Sequence, residues 1–182
     1  MVRWELAPRL PEFYRAYPHL RLRILAENRV SSLAAGDADV ALRMFRPERG
    51  ELVARKVLSV SYAFFAASSL ELHPEVPWMG LTGSLAGIAE QRHAERAFAT
   101  RPARLLVEDL ESLGLAVEAG LGVALLPRGL AARLDEVVEV APQRLGVRGG
   151  ELLASRDVWM VVHRAKQHVP RVRALMSWLR GH

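Results

Sequence analysis

The sequence contains no cysteine, so disulfides and thiolate zinc sites are excluded. No apolar run approaches the length that spans a bilayer. The start, Met1-Val2-Arg3-Trp4-Glu5, has no apolar segment of the kind that directs export. Lysine is scarce, nearly all of the 25 basic residues being arginine. There is no repeat at a fixed period and no low-complexity stretch. A soluble cytoplasmic protein with no membrane partner is the expectation. What the chain does have is apolar bulk. Hydrophobic residues make up 51% of its 182 positions, enough for one large domain or two small lobes.

The net charge of +5 is unevenly placed. Residues 156–182 hold six basic residues and one acid, Asp157, while the other 155 residues hold 19 of each sign. A basic C-terminal face suits an acidic surface or nucleic acid. A solvated face is the plainer reading, and the segment lacks the interleaved aromatics of a single-strand platform.

The strongest local signal is Val117-Glu118-Ala119-Gly120-Leu121-Gly122-Val123-Ala124-Leu125-Leu126-Pro127. It reads as a helix end, a glycine turn and a short apolar strand. Gly120 suits the left-handed position past a helix. Gly122 lets the chain pass close to a neighbour, and Pro127 ends the strand by removing a ladder donor. In a dinucleotide fingerprint the glycines follow a strand and open a helix, the reverse of this order.

Elsewhere, Leu6, Leu10, Phe13 and Tyr17 fall at helical spacing and predict a helix from about Pro11 to Pro18. Residues 20–25 alternate strictly and predict a strand. A short helix over 30–35, closed by Gly36, and a strand over 39–43 follow. The β-prone run 53–67 is longer than one typical strand and reads as a strand leaving one lobe for another. Further strands are expected at 78–81, 103–107 and 137–140, with helices at 84–100, 110–119 and 128–134. Asp109 is placed to cap the second of these helices. Residues 157–163 read as a strand crossing back. Pro170 then opens a helix whose Val172, Leu175, Met176 and Leu179 make one apolar stripe, flanked by Trp178.

Strands alternating with helices predict an α/β chain with mostly parallel sheets. The two crossing strands divide it into lobe I, residues 1–60 plus 165–182, and lobe II, residues 61–164. Two such lobes leave a cleft at the C-terminal edges of their sheets, where small ligands bind. Asn28 and Arg29 follow a strand at that edge, and Arg29 suits bidentate pairing with a carboxylate; a solvated loop is its alternative. Arg43 ends a strand and is either a ligand contact or a partner of Asp37 or Asp39. Thr82, Gly83 and Ser84 open a helix after a strand, as an anion site of hydroxyls and free amides or with Ser84 as a plain N-cap. Leu126 and Pro127 either line the cleft or belong to the core.

No residues point to catalysis. Glu90 and His93 form one i, i+3 pair, where a di-iron bundle needs two such pairs and two further Glu; they read as surface residues. His163 and His168 lack a third metal ligand. Gly83-Ser84-Leu85-Ala86-Gly87 does not match the nucleophile elbow, and Asp37 with Asp39 has no partner constellation. Neither metal, cofactor nor catalytic residue is expected.

Taken in order, these motifs resemble the effector-binding domain of LysR-type transcriptional regulators. The resemblance begins at Leu10-Pro11-x-Phe13-x-x-x-Tyr17-Pro18-x-Leu20-x-Leu22 and continues through 38–43, Pro47 and 52–55. It takes in 116–127, Val158-Trp159-x-Val161-Val162-His163, Pro170 to Leu175, and Trp178-Leu179. It implies a two-lobed, type II periplasmic-binding-protein-like fold whose cleft takes a small effector, an organic acid or aromatic metabolite. It also implies self-association as a homodimer or higher oligomer. DNA is implied as a partner only through a helix-turn-helix upstream, so DNA binding by these residues is expected to be weak and non-specific. The family's first strand of lobe I would precede Trp4, and the expectation from the resemblance is that this strand is missing and lobe I incomplete. Near Trp4 the family often offers Ser or Thr, so a carboxylate site at that position is not implied for this chain. A stand-alone solute-binding protein of the same fold, an enzyme on a related scaffold, and a truncated non-functional fragment are the alternatives.

Overall fold

The long β-prone run breaks at Ser61 into two strands, and that break divides the chain. In the computed structural model, which describes residues 2–25, 33, 37–47, 50–147 and 155–181, one unit comprises Met1–Val60 with Arg156–His182 and the other Ser61–Ser155.

The first unit opens with a π-helical turn (Val2–Leu6) and a 3-10 turn (Ala7–Arg9) leading into α1 (Leu10–Ala16). Pro8 and Pro11 are tolerated because each falls in the first turn of its own segment, so helical structure starts earlier than the prolines suggest. The sheet holds β1 (Val40–Arg43), β2 (Leu52–Val60) and β8 (Arg156–His163) in the order β1-β8-β2. β8 is antiparallel to both neighbours, with Val161 opposite Ala41 on one side and Ala54 on the other. β8 lies in the first unit throughout, and the expected lobe boundary at residue 164 falls after it. Pairing on both sides is the physical reason: Val158, Met160, Val161 and Val162 are all buried.

Residues 20–25 do not form the expected strand. Alternation prepares a segment to pair, but a strand exists only where a partner supplies the ladder, and among the described residues none pairs with it. Ile24 and Leu25 are exposed. The expected helix over 30–35 lies outside the described residues, apart from Leu33.

α5 (Pro170–Arg180) begins with Pro170 in its first turn and buries Val172, Met176, Trp178 and Leu179. Trp178 sits edge-on to Phe13 of α1, ring centres 5.1 Å apart. Among the described residues, two carboxylates tie the unit's chain segments together. Lys166 donates to Asp39 at 2.8 Å, with Arg171 also alongside; the Lys166 hydrogen bond holds the Asp39 carboxyl below its ordinary range. Lys56 and Ser59 of β2 likewise donate to Asp157 and lower its carboxyl.

The second unit holds β3 (Tyr62–Ala67), β4 (Trp78–Leu81), β5 (Leu105–Val107), β6 (Val123–Pro127) and β7 (Val137–Val140) in the order β5-β4-β6-β3-β7. β4 runs parallel to β5 and β6, and β3 runs antiparallel to β6 and β7. The expectation of mostly parallel sheets is therefore corrected in both units. A returning strand lies beside β1 and β2 in one, and β3 beside β6 in the other. β3 and β6 are buried along their whole lengths, which explains their unbroken apolar sequences.

Helices α2 (Ala89–Ala97), α3 (Leu110–Glu118) and α4 (Arg128–Ala131) complete the unit. The expected helix over 84–100 is instead a 3-10 turn, Gly83–Leu85, followed by the shorter α2. Ile88 is extended (ψ 157°) and serves as the N-cap of α2. Phe98 stacks on Trp78 at 5.2 Å and meets Phe64 edge-on at 5.4 Å. Arg101 lies over Phe98 and donates to the carbonyls of Val76 and Leu145, so one guanidinium satisfies two loop acceptors.

Candidate functional site

The parallel strands β4, β5 and β6 end together at Leu81, Val107 and Pro127. The C-terminal edge of parallel strands is where α/β sheets bind ligands. In this unit three chain turns supply that edge.

The first is Thr82-Gly83-Ser84. Thr82 is extended, and its N–H donates to Val107 O at 2.8 Å, joining the β4 and β5 exits. Gly83 has φ +59°, a left-handed conformation that favours glycine. The capping position of the 3-10 turn falls to Thr82, not Ser84, and the Thr82 hydroxyl makes no capping bond. Thr82 is half-buried and Ser84 exposed, so both hydroxyls stand at the edge.

The second is Glu108-Asp109. Asp109 accepts the N–H groups of Glu111 and Ser112 and the Ser112 hydroxyl, at 2.7–3.0 Å, and so caps α3 as its sequence position indicates. Glu108 is the residue that sequence reasoning missed. A Cβ placed on Gly83 would stand 3.0 Å from its Oε1. The turn is therefore not a bare anion site, since a carboxylate lies against it. The available signal was positional: Glu108 directly follows a strand on the ligand-binding edge.

The third turn follows β6. Leu126, paired with Ala63, has no solvent exposure and belongs to the core. Pro127 is buried opposite Tyr62. The Arg128 N–H donates to Ser61 O, and its guanidinium grips both oxygens of Glu139, Nη2 to Oε1 at 2.7 Å.

Behind the first turn lies a buried amide that the sequence did not mark. Gln91 of α2 is 3% exposed; its Oε1 accepts the Leu81 N–H at 2.7 Å and its Nε2 donates to Glu95 at 2.9 Å. Gly80 makes this approach possible, because a Cβ there would come within 2.7 Å of Gln91 Oε1. The pair fixes the end of β4 and hence the direction in which Thr82 leaves it.

The remaining candidates lie elsewhere. Asn28 and Arg29 are outside the described residues. Arg43 ends β1 in the first unit, its guanidinium 5.8 Å from the Phe45 ring. Asp39, one of its two expected partners, is paired with Lys166. Glu90 is buried and His93 stacks on Phe64, ring centres 6.3 Å apart, so neither is the surface residue expected. His163 Nδ1 accepts the Ala165 N–H. Trp4 Nε1 is buried without an acceptor among the described residues. Among the described residues no three His, Asp or Glu side chains are grouped to hold a metal, and no helix is long and apolar enough to cross a membrane.

The sequence matches the family described as LysR substrate binding domain over residues 1–182. The chain belongs to this family. It is 26% identical to a Mau operon transcriptional activator of Paracoccus denitrificans, covering 95% of this chain and 58% of that protein. It is 27% identical to the HTH-type transcriptional regulator PtxR of Pseudomonas aeruginosa, covering 100% of this chain and 61% of that one. The chain thus spans about three fifths of the length of these relatives. Among solved structures, the regulatory domain of CrgA, a LysR-type transcriptional regulator from Neisseria meningitidis, superposes with a TM-score of 0.74 at 19% identity, covering 98% of this chain and 92% of that one. The fold is therefore the two-lobed, periplasmic-binding-protein-like architecture of LysR effector domains.

Proposed function

We propose that this LysR-family chain is the effector-sensing part of a DNA-binding transcriptional regulator, and that it takes a small organic metabolite at the C-terminal edge of β4, β5 and β6. The family match over the whole chain carries this reading, and the relatives named above are transcriptional regulators. The local chemistry supports it. Thr82 and Ser84 supply hydroxyls for a carboxylate or carbonyl, and Pro127 lies at the same edge. Glu108 narrows the class, since its carboxylate accepts hydrogen bonds and repels anions. The ligand that fits best pairs an acidic or carbonyl group with a donor, as a hydroxy- or amino-substituted organic acid or aromatic metabolite does. The role is sensing rather than catalysis. Sequence-specific DNA contact is assigned to another part of the regulator, which acts in the cytoplasm as a homodimer or higher oligomer. The effector shifts the population of conformations to which it binds best.

A thermal-shift screen of such acids tests this. A true effector at about one hundred times its Kd stabilises the fold by about 2.7 kcal/mol, about 5–10 °C in a chain of this size. Thr82→Val and Glu108→Gln are expected to abolish most of that shift while the unliganded melting changes little. A panel with no stabilising member, or a shift indifferent to both variants, contradicts the reading.

A further inference from the structure

The first unit has a cavity of its own, of about 680 Å³, where α5 and the turn before it meet β2 and the end of α1. That volume is in the range of small-molecule sites. Among the described residues, its lining includes Arg55, Arg173, Arg180 and His168 and no acid.

The helix period explains how the arginines gather. Val172, Met176 and Leu179 turn into the core, which leaves Arg173, Ser177 and Arg180, at i, i+4 and i+7, together on the cavity side. Seven residues of helix separate the two arginines by about 10 Å along the axis, and Arg55 reaches the same space from β2. Three other cations of this basic segment are already engaged. Arg156 donates to Met44 O, and Lys166 and Arg171 face Asp39. Arg180 spends one donor on Met176 O, leaving the rest of its guanidinium fork. Gln167 and Ser177 add neutral donors to the lining.

Guanidinium forks match the oxygens of carboxylates and phosphoryl groups in pairs, and a concave surface of one sign concentrates counter-ions. Three guanidiniums spread over this distance are not satisfied by a single monovalent group. We propose that this groove binds a compact polyanion, a small molecule bearing two or more phosphoryl or carboxylate groups, and that this site is distinct from the effector turn of the second unit.

Calorimetric titration of the 182-residue chain with inorganic pyrophosphate and, separately, with citrate tests the proposal. Saturable binding of at least one of them, one per chain, is expected. Arg55→Ala and Arg173→Ala are each expected to weaken it about ten-fold or more, while the exposed Arg133→Ala of the second unit changes it less than about two-fold. All three side chains are exposed, and unchanged melting confirms that the variants fold. Binding of pyrophosphate alone identifies a phosphoryl ligand, and of citrate alone a carboxylate ligand; either supports the proposal. It is overturned if neither probe saturates, or if Arg133→Ala weakens binding as much as the groove variants. It is also overturned if only a random-sequence duplex DNA binds and loses affinity in Arg55→Ala and Arg173→Ala, because the face is then a nucleic-acid surface.

Discussion

Gly122→Ala is expected to cost about 3 kcal/mol and to lower the melting temperature by about 6–12 °C. Val123 opens β6 by donating its N–H to Pro77 O at 2.8 Å. A Cβ on Gly122 would stand 2.5 Å from that oxygen and 3.1 Å from its carbon. The obstacle is backbone, so no rotamer change relieves it. Either the loop before β4 or the start of β6 must move, and the parallel pairing of Trp78 with Val123 opens with it. Gly87→Ala is the matched comparison, its new methyl coming no nearer than 3.7 Å to Arg92, and it should melt within about 2 °C of the parent. Equal melting of the two variants would show that the close approach at Gly122 does not exist.

The second large effect is expected at Gln91→Leu. The substitution keeps roughly the volume and removes the acceptor for the buried Leu81 N–H. A buried donor left without a partner costs about 1–3 kcal/mol, so melting should fall by about 2–12 °C. Hydrogen exchange supplies a readout that general destabilisation would not mimic: the Leu81 amide should lose protection beyond that of its strand neighbours. Glu95→Ala removes only the exposed partner of the same amide and should cost less than about 0.5 kcal/mol. If Gln91→Leu and Glu95→Ala behave alike, the clamp on β4 is not what holds the edge.

These two positions show what could be read from the sequence. Gly122 announced itself through local chemistry, two glycines between a helix and an apolar strand. Gly120 has the left-handed φ of +74° that its position called for. Asp109 caps α3, and the stripe on α5 faces its core, because caps and helical stripes depend on residues a few positions apart. Gln91 gave no such sign. Its partner is an amide ten residues upstream, brought to it by the packing of α2 on the sheet and by the missing side chain of Gly80. Glu108 was missed because its meaning depends on Gly83, on a different strand exit. Residues 20–25 show the converse failure, a perfect alternation with no partner strand among the described residues. The unit to which β8 belongs is not written in its sequence for a similar reason. Its sequence fits a buried strand in either unit, and only its pairing with both β1 and β2 decides.

Sensing of a small metabolite is proposed at the edge formed by Thr82, Gly83, Ser84 and Glu108. The most direct measurement is an amide NMR titration of the 182-residue chain with a stabilising acid from the screen. Saturable shifts are expected, centred on the amides of Thr82, Gly83, Ser84 and Glu108, with Arg128 at the neighbouring strand exit also moving. Shifts confined to other parts of the chain, such as the arginine groove along α5, with the β4 exit unmoved at saturation, would contradict it.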